Sequence, residues 1–257
     1  MNGSRIGLLF IAGFIAGLMN AVAGGGTIVT FPALILAGIS AIGANATSTV
    51  ALLPGTLAGV VGYRRMLPSV WKWIRMFALV SVIGGLAGAI LLTKPPERVF
   101  AHLVPFLILF ATILFTARTF FARVFRLESK SSNPKRWLVF AILFQILVSI
   151  YGGYFGAGIG ILMLASLGML GFEDIHKMNA VKNALAFLIN VIAAVYFIIK
   201  GMIDWPAAGI VAAGAMAGGY SGAHFSQKVP QRAVRFSITA IGLIITAVMF
   251  YKQLRGT

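Results

Sequence analysis

The sequence predicts an all-α polytopic membrane protein built as an inverted structural repeat. It would have about five plus five helices, or eight to ten membrane segments, with the first two of each half short and candidates for re-entrant geometry. Three observations predict this: a composition suited to lipid, a gap-free internal duplication, and a charge bias that reverses between the halves.

Of the 257 residues, 60% are hydrophobic and only 10% charged, whereas a soluble domain carries about 25% charged residues. The mean hydropathy is +0.97. Apolar runs fill almost the whole chain, and the longest polar interval is "RVFRLESKSSNPKRW", residues 123–137. A net charge of +16 would suggest nucleic acid in a soluble protein. Here Lys and Arg sit in short stretches between apolar runs, as topogenic charges do, and nucleic acid is not an expected partner. Cysteine is absent, which removes disulfides, thiolate metal sites and Cys nucleophiles. Arg5, the apolar run 6–18 and "AVA" at 21–23 imitate a cleaved signal peptide.

Sliding the chain by 134 residues aligns its halves. Gly24, Gly26, Asn45, Trp71, Gly84, Gly85, Gly88, Pro96 and Arg98 fall on Gly158, Gly160, Asn179, Trp205, Gly218, Gly219, Gly222, Pro230 and Arg232. Composition alone rarely matches Asn, Trp, Pro and Arg. The expected organisation is a first repeat at 1–121, a basic cytoplasmic linker at 122–136 and a second repeat at 137–257. The apparent signal peptide then lies inside the first repeat and is expected to be retained.

Each half holds five apolar runs: 6–22, 26–39, 43–63, 74–93 and 99–121, then 137–154, 160–172, 178–199, 206–226 and 233–251. The last three of each half can cross about 30 Å of hydrocarbon, while the first two fall short of ~20 residues. Arg64, Arg65, Lys72 and Arg75 lie between the third and fourth runs of half one, whereas the equivalent interval of half two has Lys200 balanced by Asp204. The bias reverses one loop later, where Lys228, Arg232 and Arg235 stand against Lys94, Glu97 and Arg98. Equivalent loops therefore face opposite sides by the positive-inside rule, with both termini outside.

Paired short, glycine-interrupted segments in an inverted repeat point to a transporter site near the midplane. "AGGGT" (Ala23 to Thr27) and "FGAGIG" (Phe155 to Gly160) are the two candidates. Glycine allows a sharp turn and leaves N–H groups at the start of the next helix, where the dipole favours an anion. Such glycines can instead serve only close helix packing, which is the preferred reading for Gly84, Gly85 and Gly88. Downstream of each hinge runs a polar stripe at i, i+3 and i+4: Asn45, Ser48 and Thr49 in half one, Asn179, Lys182 and Asn183 in half two. Thr56 and Asn190 extend the stripes. Lys182 is an ionisable group in an apolar segment, which marks a substrate path or a side chain snorkelling to the surface. The carboxylates Glu97, Glu128, Glu173, Asp174 and Asp204 fall in or beside predicted loops, which favours an anion over a cation as cargo. His102, His176 and His224 have no metal-ligand spacing, and no cofactor or enzyme motif is evident.

"GLMNAVAGGGTIVTFPAL", "GANATSTVALLPGTLAGVVGYRR", "YGGYFGAGIGILML" and "NAVKNALAFLINVIAAVYFI" together resemble the TauE/SafE sulfite-exporter family across essentially the whole chain. That resemblance implies a non-enzymatic carrier of small sulfur-containing anions, such as sulfite, sulfonates or sulfoacetate, in a prokaryotic cytoplasmic membrane. By position it implies substrate binding by Gly24, Gly25, Gly26, Thr27, Asn45, Ser48 and Thr49, with Gly156, Gly158, Gly160, Asn179, Lys182 and Asn183. Ile159 stands where half one has Gly25, so the hinges are not equivalent. A proton or sodium coupling ion, homo-oligomer formation, a passive anion channel and another small anion such as a carboxylate all stay open.

Overall fold

A backbone in hydrocarbon has no water to bond, so each crossing segment must satisfy its own N–H and C=O groups, and the α-helix does this within one segment. The computed structural model follows that rule. It describes residues 2–22, 25–117, 134–170, 172, 174–225, 239–240 and 242–251, and among these no strand occurs. The expected linker lies almost wholly outside the described residues, as do Gly24 and the whole 226–238 stretch before the last helix.

Half one supplies α1 (Gly3–Val22), α2 (Thr27–Leu36), α3 (Ala41–Ala51), α4 (Leu53–Gly62), α5 (Leu67–Thr93) and α6 (Glu97–Thr116). Half two supplies α7 (Pro134–Tyr154), α8 (Ile159–Met169), α9 (Ile175–Ile199), α10 (Trp205–Phe225) and α11 (Gly242–Tyr251). Among the described residues, five segments are long and apolar enough to span: Gly3–Asn20, Ala41–Gly62, Leu67–Thr93, Glu97–Leu114 and Ile175–Ile199.

Two expectations need correction. The first segment of half one is not short: α1 has 20 residues and is apolar enough to span, whereas the apolar part of α7, Leu138–Tyr154, stays with α2 and α8 among the shorter helices, as expected. The extra length of α1 comes from polar residues at the helix start, such as Ser4 and Arg5, which an apolar-run reading leaves out. The run 43–63 is also not one uninterrupted helix. It breaks at Leu52 because Pro54 has no N–H to donate, and the helical bonding resumes with Thr56 N donating to Leu52 O at 3.2 Å.

Helix ends are set by local chemistry. Ser40 Oγ accepts from Gly43 N at 3.2 Å to start α3, and Asp174 Oδ1 accepts from His176 N at 2.8 Å to start α9. Gly38 and Gly201, at φ +91° and +66°, close α2 and α9 in the left-handed conformation.

The helices pack across the halves. α1 lies along α10, and α7 lies along α5, so the first helix of each half crosses to the helix of the other half's fourth apolar run. Small residues let the backbones touch, as they must where lipid gives no hydrophobic drive between helices. A Cβ on Gly214 or Gly218 would collide with the carbonyls of Phe10 and Phe14, and one on Gly88 or Gly153 with those of Ile150 and Gly85. A Cβ on Gly84 would stand 2.6 Å from Ser149 Cβ. Gly85 instead faces Ile189 and Ile192 of α9. The 84–88 glycines are thus packing residues.

Candidate substrate site

Between α1 and α2 the chain turns through Gly25, whose φ of +94° only glycine adopts freely. Gly26 N donates to Asn20 Oδ1 at 2.9 Å, so the last turn of α1 caps the start of α2. Gly26 must also be small, since a Cβ there would lie 2.9 Å from Ala16 O. Thr27 is half-buried at the first position of α2. One turn on, Thr30 Oγ1 reaches back to Gly26 O at 3.3 Å and meets Ser48 Oγ at 2.6 Å. Both hydroxyl residues are fully buried, so this pair ties the first hinge to α3.

Helix α3 carries the first polar stripe. Its N-terminus receives Glu97, whose two carboxylate oxygens accept from Ile42 N at 3.1 and 3.4 Å, a favourable charge at that end of the dipole. Asn45, only 1% exposed, donates from Nδ2 to Tyr154 O at 3.0 Å. Tyr154 is the last residue of α7, so this bond joins half one to the second hinge. Thr49 Oγ1 donates to Asn45 O at 2.8 Å within the helix.

The second hinge is built differently. Phe155 N and Gly156 N both donate to Tyr151 O, at 2.9 and 3.1 Å, ending α7. Gly156 and Gly158 then take φ +81° each, and no side chain caps α8. Lys182 covers this start: a Cβ on Gly160 would stand 3.2 Å from Lys182 Cδ. Lys182 is half-buried two turns into α9, deeper than the surface loop and short of the centre of the helix. Asn183 Nδ2 donates to Gly59 O of α4 at 3.3 Å. Asn179 is half-buried on the same face, and no hydrogen bond joins its side chain to a hinge among the described residues.

Phe31 of α2 and Phe155 of the second hinge meet edge to face with centroids 5.4 Å apart. The structure therefore ties Gly26 to Ser48 through Thr30 and joins Asn45 and Phe31 to the Tyr154–Phe155 turn, and separately sets Gly160 against Lys182 and Asn183 against α4. Asn20, Thr30 and Tyr154 are not singled out by the sequence, and Glu97 is read there only as a loop carboxylate. Asn20 alone gave a signal, as an Asn at the end of an apolar run. Tyr154 acts through its backbone, which side-chain chemistry cannot reveal.

Span-length apolar helices, buried polar stripes and two glycine turns define a multi-pass membrane protein of the transporter class. The chain belongs to the sulfite exporter TauE/SafE family, which it matches over residues 9–249. It is 28% identical to a probable membrane transporter protein of Haemophilus influenzae, over 96% of this chain and 95% of that one. It is 27% identical to the probable membrane transporter protein ORF9 of Sinorhizobium sp., over 93% and 90% of the two chains. With the probable membrane transporter protein YfcA of Escherichia coli K12 it shares 24% identity over 96% and 90%. No solved structure matches it significantly.

Proposed function

We propose that the chain is a secondary transporter in which two inverted halves, 1–121 and 137–257, alternately expose a site for a small sulfur-containing anion of the sulfite or sulfonate type. The observation that carries this reading is the second hinge: Gly156 and Gly158 turn the chain at φ +81° into the start of α8, and the stem of Lys182 lies over its first turn. The positive end of the α8 dipole and the lysine beside it both favour an anion. Half one adds Asn45 and the Ser48–Thr30 pair at the Phe31–Phe155 junction. Rocking of the α1–α10 pair against the α5–α7 pair, each of which joins the two halves, would open the junction to either side. The close glycine contacts along α1–α10 and α5–α7 suit rigid bodies, whereas the turns at Gly25 and at Gly156 to Gly158 suit pivots.

Thermal stabilisation of the purified protein by sulfite, thiosulfate, sulfoacetate, taurine, sulfate, phosphate and short carboxylates tests this. A ligand that binds the folded state raises its stability by mass action, by about 2.7 kcal/mol at a hundredfold excess over Kd. A sulfur oxyanion should stabilise the wild type and lose its effect in Lys182→Ala. No shift with any anion, or an unchanged shift in folded Lys182→Ala, would refute the proposal.

A further inference from the structure

Asn45 has two polar side-chain atoms, and only one of them is bonded. Nδ2 donates to Tyr154 O at 3.0 Å, and turning the amide over would set two carbonyl oxygens against each other, so that bond fixes its orientation. Oδ1 is then left buried without a hydrogen-bond partner among the described residues, in a side chain that is 1% exposed. Buried acceptors are nearly always paired, so this one needs an explanation. Its helix neighbours are occupied: the Ser48 hydroxyl is bonded to Thr30, and the Thr49 hydroxyl donates to the backbone carbonyl of Asn45 itself.

An unpaired carbonyl oxygen repels a bare anionic oxygen and attracts an O–H or N–H group. A hard cation is the other chemistry it suits, but such ions gather several oxygens. Here Tyr154 O and Thr49 Oγ1 are already engaged. We propose that Asn45 Oδ1 is a specificity determinant, taking a hydrogen bond from the substrate. The transported anion then carries a donor on or beside its charged group, as a singly protonated oxyanion or an aminosulfonate does. This rests on the anion-transport reading and narrows it, because Asn45 serves as an acceptor rather than as one more donor to the anion's oxygens. Since Asn45 is enclosed by the hinge, the bond forms in the occluded state, after the substrate has displaced the junction.

Sulfamate and methanesulfonate provide a matched pair. At neutral pH both are singly charged and nearly equal in size, and they differ in carrying NH2 or CH3 on the sulfur. Their dissociation constants would be measured by thermal stabilisation of the full chain. The wild type should bind sulfamate about tenfold more tightly, the value of one buried hydrogen bond. The ratio should fall to about one in Asn45→Ala and persist in Lys182→Ala, which weakens both anions alike. Equal affinities in the wild type, or a preference that survives in folded Asn45→Ala, would overturn the inference while leaving the anion site intact. If Asn45→Ala does not fold, the wild-type ratio decides alone. Failure of these two anions alone to stabilise the wild type would overturn this inference, and failure of sulfite and the rest of the panel as well would overturn the anion site with it.

Discussion

The glycines of α10 and those of the second hinge look alike in sequence and do opposite work. Gly214 and Gly218 are helical, and each lets the backbone of α1 come within van der Waals reach; they hold two helices together. Gly156 and Gly158 sit at φ +81° in a turn, and the nearest atoms to a Cβ on Gly158 are 3.8 Å away, so there the backbone angle rather than the space demands glycine. One set makes the scaffold stiff and the other lets a short helix start in the middle of it. Between the two hinges a second difference appears: Asn20 holds the Gly26 N–H just ahead of α2, whereas the stem of Lys182 lies over the first turn of α8.

Substitutions can separate these roles. The largest effect is expected at Gly218→Val, where the side chain meets the Phe14 backbone. Overpacking costs about 1–3 kcal/mol or more, so size-exclusion chromatography should show loss of folded protein. Gly209→Ala on the same helix has nothing within 4 Å and should be neutral or slightly stabilising. If both behave alike, the packing account fails. Gly158→Ala has room but forces a left-handed backbone on alanine, at about 1–2 kcal/mol. Its Tm should fall moderately, with the protein still monodisperse.

Ser48→Ala removes the partner of Thr30 and should cost about 1 kcal/mol, read as a smaller drop in Tm. An unchanged Tm would mean that the pair does not fasten the first hinge. The smallest effect is expected at Asp174, whose carboxyl is held below its ordinary value of 3.8, chiefly by the His176 N–H bond. A depressed folded value adds stability that is fully present above the unfolded value and is lost as pH falls through the folded one. The Tm difference between wild type and Asp174→Asn should therefore shrink as pH drops below 3.8.

Much of this architecture was legible because lipid imposes simple rules. Apolar run lengths marked the helices, and glycine between short runs marked both hinges. The break at Leu52 was also written in the sequence, as Pro54, but it was hidden by the continuity of the apolar run. Pairing of α1 with α10 and of α7 with α5 was not legible, since it depends on which small-residue faces meet between distant parts of the chain. Within the site, the stripes at 45–49 and 179–183 could be read from spacing. Which atom each side chain uses could not, because a backbone carbonyl at Tyr154 and a carboxylate at Glu97 decide that from distant parts of the chain.

The central claim is that the hinge region carries an anion through rather than merely packing helices. Counterflow of labelled sulfite in proteoliposomes tests it most directly. The account predicts saturable uptake stimulated by unlabelled sulfite inside, and its loss in Lys182→Ala. Uptake that is unsaturable and indifferent to internal sulfite, or unchanged in Lys182→Ala, would contradict it.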